Sequence, residues 1–212
     1  MSDSVRLVLL SDTHGLHDEI TVPPGDILVH AGDVTPSGSL PQLQDFNEWL
    51  ATLPHPKKLV IAGNHDWCFQ QAPDEARAML TNATYLEDEK IEVAGIRFYG
   101  SPWQPWFMDW AFNLPRGEAL AEKWAAIPAD TDVLITHGPP MGILDETMRG
   151  AHVGCEALAD AVRRVAPKLH VFGHIHEGFG THDSDLTRFV NASVCDVRMV
   201  VENSPVVLGW PL

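Results

Sequence analysis

The sequence predicts an α/β protein, a four-layer α/β/β/α sandwich in which two mixed sheets pack together and helices flank them. Three observations predict it. Five short apolar runs, rich in Val, Ile and Leu, each end in a cluster of Asp, His or Asn. Segments with helical period lie between them. A hairpin and a set of C-terminal strands interrupt this alternation of β and α units, which points to two packed sheets rather than one.

Taken in order, residues 5–10 lead into Ser11-Asp12-Thr13-His14, and residues 26–30 into Ala31-Gly32-Asp33. Residues 58–61 lead into Ala62-Gly63-Asn64-His65-Asp66, residues 132–135 into Thr136-His137-Gly138, and residues 169–172 into Gly173-His174-Ile175-His176. Apolar runs of this length, closed by Gly or Ser, read as buried parallel strands. Parallel sheets place ligands beyond the carboxyl ends of their strands, so these five segments would deliver their polar clusters to one edge of one sheet. Residues 40–53 place Leu43, Phe46, Trp49, Leu50 and Leu53 on one helical face, and Ser39 with Gln42 resembles a capping box. Further helices are expected over 73–80, 116–127 and 153–166, the last stopped by Pro167. Residues 91–93 and 96–99 flank Ala94-Gly95 as a hairpin, and strands are expected over 188–191, 199–202 and 205–208.

A chain of 212 residues, 45% of them apolar, fits a single domain over 1–212. Three widely spaced Cys without a CxxC pair argue against a disulfide framework and for a reducing compartment. Residues 5–10 are too short for a signal-peptide core, and no apolar run approaches the roughly 18 residues of a membrane span. The expectation is a cytoplasmic protein that does not enter a membrane. The formal charge of −15 disfavours long nucleic acids. A small anionic substrate remains compatible with it, because bound divalent cations become the largest local charges in a site.

The clusters carry the chemistry. Asp12 and His14 are two apart, as are His174 and His176, and in an extended segment such residues point the same way. Gly32 lets the backbone turn close to a site beside Asp33. Asn64 offers a neutral oxygen and His137 an imidazole. A mixed nitrogen and oxygen set without thiolate suits Mn, Fe, Zn or Ni better than Cu(I) or an iron–sulfur cluster. Seven such residues exceed the three or four that one zinc uses. Two metal ions sharing a carboxylate is the economical solution, and two cations about 3.5–4 Å apart are a known device for in-line displacement at phosphorus.

Asp12-x-His14, Gly32-Asp33, Gly63-Asn64-His65-Asp66, His137 and Gly173-His174-x-His176 together resemble, in order and spacing, the motif series of the calcineurin-like metallophosphoesterases. Asp18-Glu19, the 46–50 stretch Phe-Asn-Glu-Trp-Leu and Ser101-Pro102-Trp103 are most similar to the metallophosphoesterase-domain-containing branch, related to the class III cyclic-nucleotide phosphodiesterases. The resemblance implies that Asp12, His14 and His176 bind one metal, that Asn64, His137 and His174 bind the second, and that Asp33 bridges them. It also implies a hydroxide between the ions as nucleophile. His65 would face the leaving-group or a phosphoryl oxygen as the catalytic group, with Asp66 orienting it. The bridging Asp is followed by Val34-Thr35-Pro36-Ser37 rather than the Val-Asp-Arg-Gly type of run of the Ser/Thr protein phosphatases, and Asn64-His65 by Asp66 rather than Glu. Both departures count against a protein phosphatase. His174 is present where some animal members of the branch lack it, so full activity is expected.

The expected function is therefore hydrolysis of small phosphodiesters, cyclic nucleotides among them. A phosphomonoesterase, a short-strand nuclease or a non-catalytic scaffold on the same fold are the competing readings. Of the other histidines, His30 and His170 are read as core, His55 and His182 as loop, and His17 and His152 as exposed. Trp103, Trp106 and Trp110 fall within eight residues and suggest either packing of a long loop or a platform for a nucleotide base. The same loop is a candidate surface for a homodimer. Cys68, Cys155 and Cys195 are read as buried small apolar residues.

Overall fold

The computed structural model describes residues 4–211. Its first sheet is built from β1 (Ser4–Leu10), β2 (Ile27–His30), β3 (Lys57–Val60) and β4 (Thr84–Tyr85), all parallel. The second contains β5 (Glu89–Val93) and β6 (Ile96–Ser101), joined by a turn in which Ala94 and Gly95 take φ of 52° and 75°. After the short pair β7 (Gln104–Pro105) and β8 (Asn113–Leu114), β9 (Val133–Thr136) and β10 (Leu169–Phe172) complete its parallel centre with β12 (Arg188–Asn191). Between them in sequence, β11 (Gly180–Asp183) forms an antiparallel edge. The chain then returns to the first sheet, where β13 (Val206–Pro211) pairs antiparallel with β1. The strand orders are β13-β1-β2-β3-β4 and β11-β12-β10-β9-β6-β5.

Alternation along β1 shows how the layers stack. Leu7 and Leu9 face inward with Val29, Ile61, Phe98, Ile135 and Val171, which form the core between the two sheets. Val8 and Leu10 face outward against α1 (Leu40–Thr52), α2 (Trp67–Gln71) and α3 (Pro73–Met79). On the far side, Tyr99, Leu134 and Phe172 pack on α4 (Glu118–Ala125) and α5 (Glu156–Val165). This is the expected α/β/β/α sandwich. Ser39 and Gln42 form the capping box at the start of α1.

Two expectations change. The five ligand-bearing strand ends do not belong to one sheet: β1, β2 and β3 lie in the first, and β9 and β10 in the second. The segment 199–202 is no strand. The Asp196 carboxylate accepts from the N–H groups of Arg198 and Val200, at 2.8 and 3.1 Å, and this local turn leaves only an isolated bridge between Cys195 and Val201. All three cysteines are buried and free. No helix of the described residues is long and apolar enough to cross a membrane.

Candidate metal centre

The two sheets end together, and their carboxyl ends meet over one cleft. Asp12 N–H donates to Gly32 O at 2.9 Å and His14 N–H to Asp33 O at 3.0 Å, so the turn after β1 is bonded to the turn after β2. His65 N–H donates to Asp33 Oδ1 at 2.8 Å, which ties in the turn after β3. His174 N–H reaches both Asp12 carboxylate oxygens, at 3.2 and 3.1 Å, which joins β10 across from the second sheet. Such contacts need bare backbone nearby. A Cβ on Gly63 would lie 2.2 Å from Asp33 Oδ1, and one on Gly173 would lie 2.0 Å from Asp12 Oδ2. Asp12, His14, Asp33 and His174 have φ of 58°, 45°, 55° and 67°, a left-handed backbone that persists in non-glycine residues where surrounding bonds over-determine it.

The buried side chains converge. His176 Nε2 and His14 Nε2 lie 3.4 and 3.9 Å from Asp12 Oδ1. Asp33 Oδ2 is 3.4 Å from His137 Nε2, 3.8 Å from His14 Nε2 and 4.0 Å from His65 Nε2. Asn64 Oδ1 is 3.0 Å from His137 Nε2. Among the described residues, three groups could each hold a metal ion: Asp12 with His14 and His176, Asp12 with Asp33 and His137, and His14 with Asp33 and His65. His174 stands just outside them, its ring 5.0 Å from that of His137.

The donor chemistry fits cations. His137 Nδ1 donates to Ala31 O and His176 Nδ1 to Asp196 O, each at 2.9 Å. In the neutral tautomers those bonds fix, Nε2 is a lone pair aimed into the cleft. His176 Nε2 then faces His14 Nε2 at 3.3 Å, and His137 Nε2 faces two oxygens. Lone pairs gather this way around a cation or a shared proton. Without a metal, protons fill the role. Burial disfavours charge on His137 and His176, but Asp33 and Asp12 outweigh it and push both up to about 9. Burial likewise opposes ionised Asp12 and Asp33, yet the facing imidazoles hold both carboxyls below their usual range. Burial, reinforced by the charge on His137 and His176, takes His174 down to about 3, which keeps its ring neutral.

Several positions read differently from expectation. Asp66 does not orient His65. Its carboxylate accepts from the N–H groups of Gly63, Val34 and Thr35 and from the Thr35 hydroxyl, at 2.8, 3.1, 2.9 and 2.7 Å, while His65 Nδ1 donates to Pro36 O at 2.8 Å. Adjacent side chains in a non-helical segment point apart, which is why these two part company. Trp103 is no base platform: its indole N–H donates to Asp88 at 2.9 Å and Lys123 sits over its ring. Trp106 and Phe107 are the exposed rings of that loop. They line a cavity of about 330 Å³ beside His174, with Pro105, Pro139, Val153 and Ile175. His17 is buried against Phe46 and Trp49, and His55 is buried with Nε2 donating to Pro23 O at 2.9 Å. His152 is exposed as expected but pairs with Asp145, and His182 falls in the edge strand β11. His30 and His170 are core.

Three further residues brace the site. Ser193 Oγ donates to Asp12 Oδ2 at 2.8 Å, and Asn191 braces the Ser193 backbone. Their i, i+2 spacing at the end of β12 repeats the signal of the ligand pairs. Trp110 stacks on His65, and no local pattern announces that contact.

This fold and this donor set define a metal-dependent phosphoesterase. The chain belongs to the calcineurin-like phosphoesterase family, whose profile matches residues 5–178. It is 47% identical to human metallophosphoesterase domain-containing protein 1, over 97% of this chain and 71% of that one. It is 41% identical to the Caenorhabditis elegans UPF0046 protein T07D4.2, over 99% of this chain and 61% of that one. The solved structure of TT1561 from Thermus thermophilus shares the fold, with a TM-score of 0.61 at 13% identity, covering 89% of this chain and 88% of that one.

Proposed function

We propose that the chain is a dinuclear-metal phosphodiesterase that hydrolyses small diesters, cyclic nucleotides among them. The observation that carries the reading is the placing of Asp33 between two sets of donors, with Oδ2 facing His14 on one side and His137 on the other. Asp12, His14 and His176 would hold one cation and Asn64, His137 and His174 a second, with Asp33 shared. Nitrogen and oxygen donors without thiolate suit Mn, Fe, Zn or Ni. Divalent ions held there supply Lewis acidity and a water of lowered pKa.

The chain's own groups do the rest. Ala31 O and Asp196 O fix the tautomers of His137 and His176. Ser193 and the His174 N–H hold the Asp12 carboxylate in place. His65 Nε2 faces the cleft 4.0 Å from Asp33; as the imidazolium, with Nδ1–H kept on Pro36 O, the ring is placed to hand its Nε2 proton to the leaving-group oxygen as the P–O bond breaks. The cavity beside His174, lined mainly by apolar groups with Arg116 and Glu177 among them, gives the second substituent of a diester somewhere to go, which a monoester does not need.

The test is a substrate panel with Mn-, Fe-, Zn- and Ni-loaded protein. Bis(p-nitrophenyl) phosphate should exceed p-nitrophenyl phosphate in kcat/KM by about tenfold or more, a transition-state preference of about 1.4 kcal/mol. Comparison of 2′,3′- with 3′,5′-cyclic nucleotides then sorts the diester class. A monoester preference would overturn the reading.

A further inference from the structure

Trp110 lies outside every donor-bearing segment, yet its indole is stacked on the His65 imidazole, with centroids 4.2 Å apart and planes 23° apart. Three other groups meet that imidazole, one of them Asp33 Oδ2, 4.0 Å from Nε2. Nδ1 bonds to Pro36 O at 2.8 Å, and the His14 ring meets it edge-on at 4.6 Å. A single hydrogen bond leaves a ring free to swing about it. His14 belongs to the donor set and is itself placed by other demands. The flat indole removes the remaining freedom of the imidazole.

The loop that carries Trp110 is fixed to the same motif. Ala111 N–H donates to the carbonyl of Asn64, the residue before His65, at 3.1 Å. Phe112 N–H donates to Gln70 Oε1 at 2.6 Å, and Trp106 N–H to Leu114 O at 3.0 Å. Met108, Asp109 and Phe112 take φ of 49°, 53° and 55°. That conformation costs bulky residues free energy and tends to cluster where geometry serves a site. Packing of an apolar ring does not account for it, because Trp110 stays partly exposed and its stacking partner is a polar imidazole at the cleft.

We propose that Trp110 is a positioning residue that holds His65 Nε2 against the leaving-group oxygen. The inference rests on the reading of His65 given above. As the P–O bond breaks, the imidazolium passes its Nε2 proton to the departing oxygen and is left neutral with Nδ1–H on Pro36 O, and a poorer leaving group depends on that proton more. Misplacement by 1 Å can cost about 100-fold in such a step.

The experiment uses Mn-loaded wild-type, Trp110→Ala, Trp110→Phe and His65→Ala proteins on methyl aryl phosphodiesters ranging from p-nitrophenyl to unsubstituted phenyl. Trp110→Ala should lower kcat about tenfold for the phenyl ester and less than about twofold for the p-nitrophenyl ester, with KM little changed, since only proton delivery is impaired. Trp110→Phe should restore most of the loss, because a flat ring returns. In metal-free protein, the His65 Cε1–H resonance, assigned by its absence in His65→Ala, should move downfield in Trp110→Ala as the indole's shielding is lost. An equal loss on every ester, or none on the phenyl ester, overturns the proposal while a graded loss in His65→Ala leaves the role of His65 intact. A flat loss in His65→Ala overturns that role and the proposal with it.

Discussion

Asp66 shows how much one residue's direction decides. Its neighbour His65 turns to the cleft, while Asp66 turns inward and staples the turn after β3 to the turn after β2. Burial and the nearby Asp33 push its carboxyl up to about 6. The donors that meet it are buried N–H groups that no water reaches, and bonds to a charged acceptor contribute about 1.5–3 kcal/mol each. Asp66→Ala should therefore destabilise the fold by about 3 kcal/mol or more, measured by urea unfolding, and should weaken metal retention because Asp33 and Asn64 lose their register. Unchanged stability with kcat alone reduced would restore the role of orienting His65. At this scale the sequence was most legible for the donors: Asp12, His14, Asp33, Asn64, His137 and His176 lie within one cluster of contacts. It was least legible for side chains whose partner is a distant carbonyl, such as His65 on Pro36 or His55 on Pro23, because backbone oxygens carry no residue signature.

Among elements, strands buried on both faces were legible because an uninterrupted apolar run needs no partner to be recognised, as β2 and β10 illustrate. Which sheet each joins was not, since pairing is set by contacts far apart in sequence. The same two strands carry a pH dependence. His30 in β2 and His170 in β10 are wholly buried, and burial takes both down to about 3. The Thr136 hydroxyl donates to Gly138 O, so His170 Nε2–H must donate to Thr136 Oγ1, at 2.8 Å, and its Nδ1 remains a buried unpaired acceptor. Protonating that ring would strand a charge in the core. The folded pKa lies below the unfolded value of about 6.5, so the unfolded state binds more protons as the pH falls. Stability is complete above about 6.5 and declines as pH drops from there towards 3, by up to about 1.4 kcal/mol per pH unit for each histidine. His170→Gln should show a shallower fall in unfolding free energy between pH 6.5 and 4.5 than the wild type. Parallel slopes would mean that His170 titrates normally in the fold.

Over the whole molecule, charge is the property that composition made plain and the fold then distributed. Fourteen Lys and Arg stand against 29 Asp and Glu. Many of the cations already face carboxylates, as Arg97 does Asp132 and Arg188 does Asp183. Such surface pairs contribute about 0–1 kcal/mol each and weaken with salt. The unmatched carboxylates repel one another over a molecule only a few Debye lengths across, and salt weakens that repulsion too. The two effects oppose, and the count of unpaired negative charge decides between them. With a net charge of −15, repulsion should win. Raising NaCl from 10 to 200 mM on metal-free protein at pH 7.5 should therefore raise the thermal midpoint by about 2–4 °C, the shift expected for about 1 kcal/mol in a domain of this size. Sodium is the appropriate cation, because a divalent salt would also stabilise through the donor cluster. A midpoint that falls with NaCl would mean that the surface pairs outweigh the repulsion, and that the acidic excess is spread too thinly to act as a field.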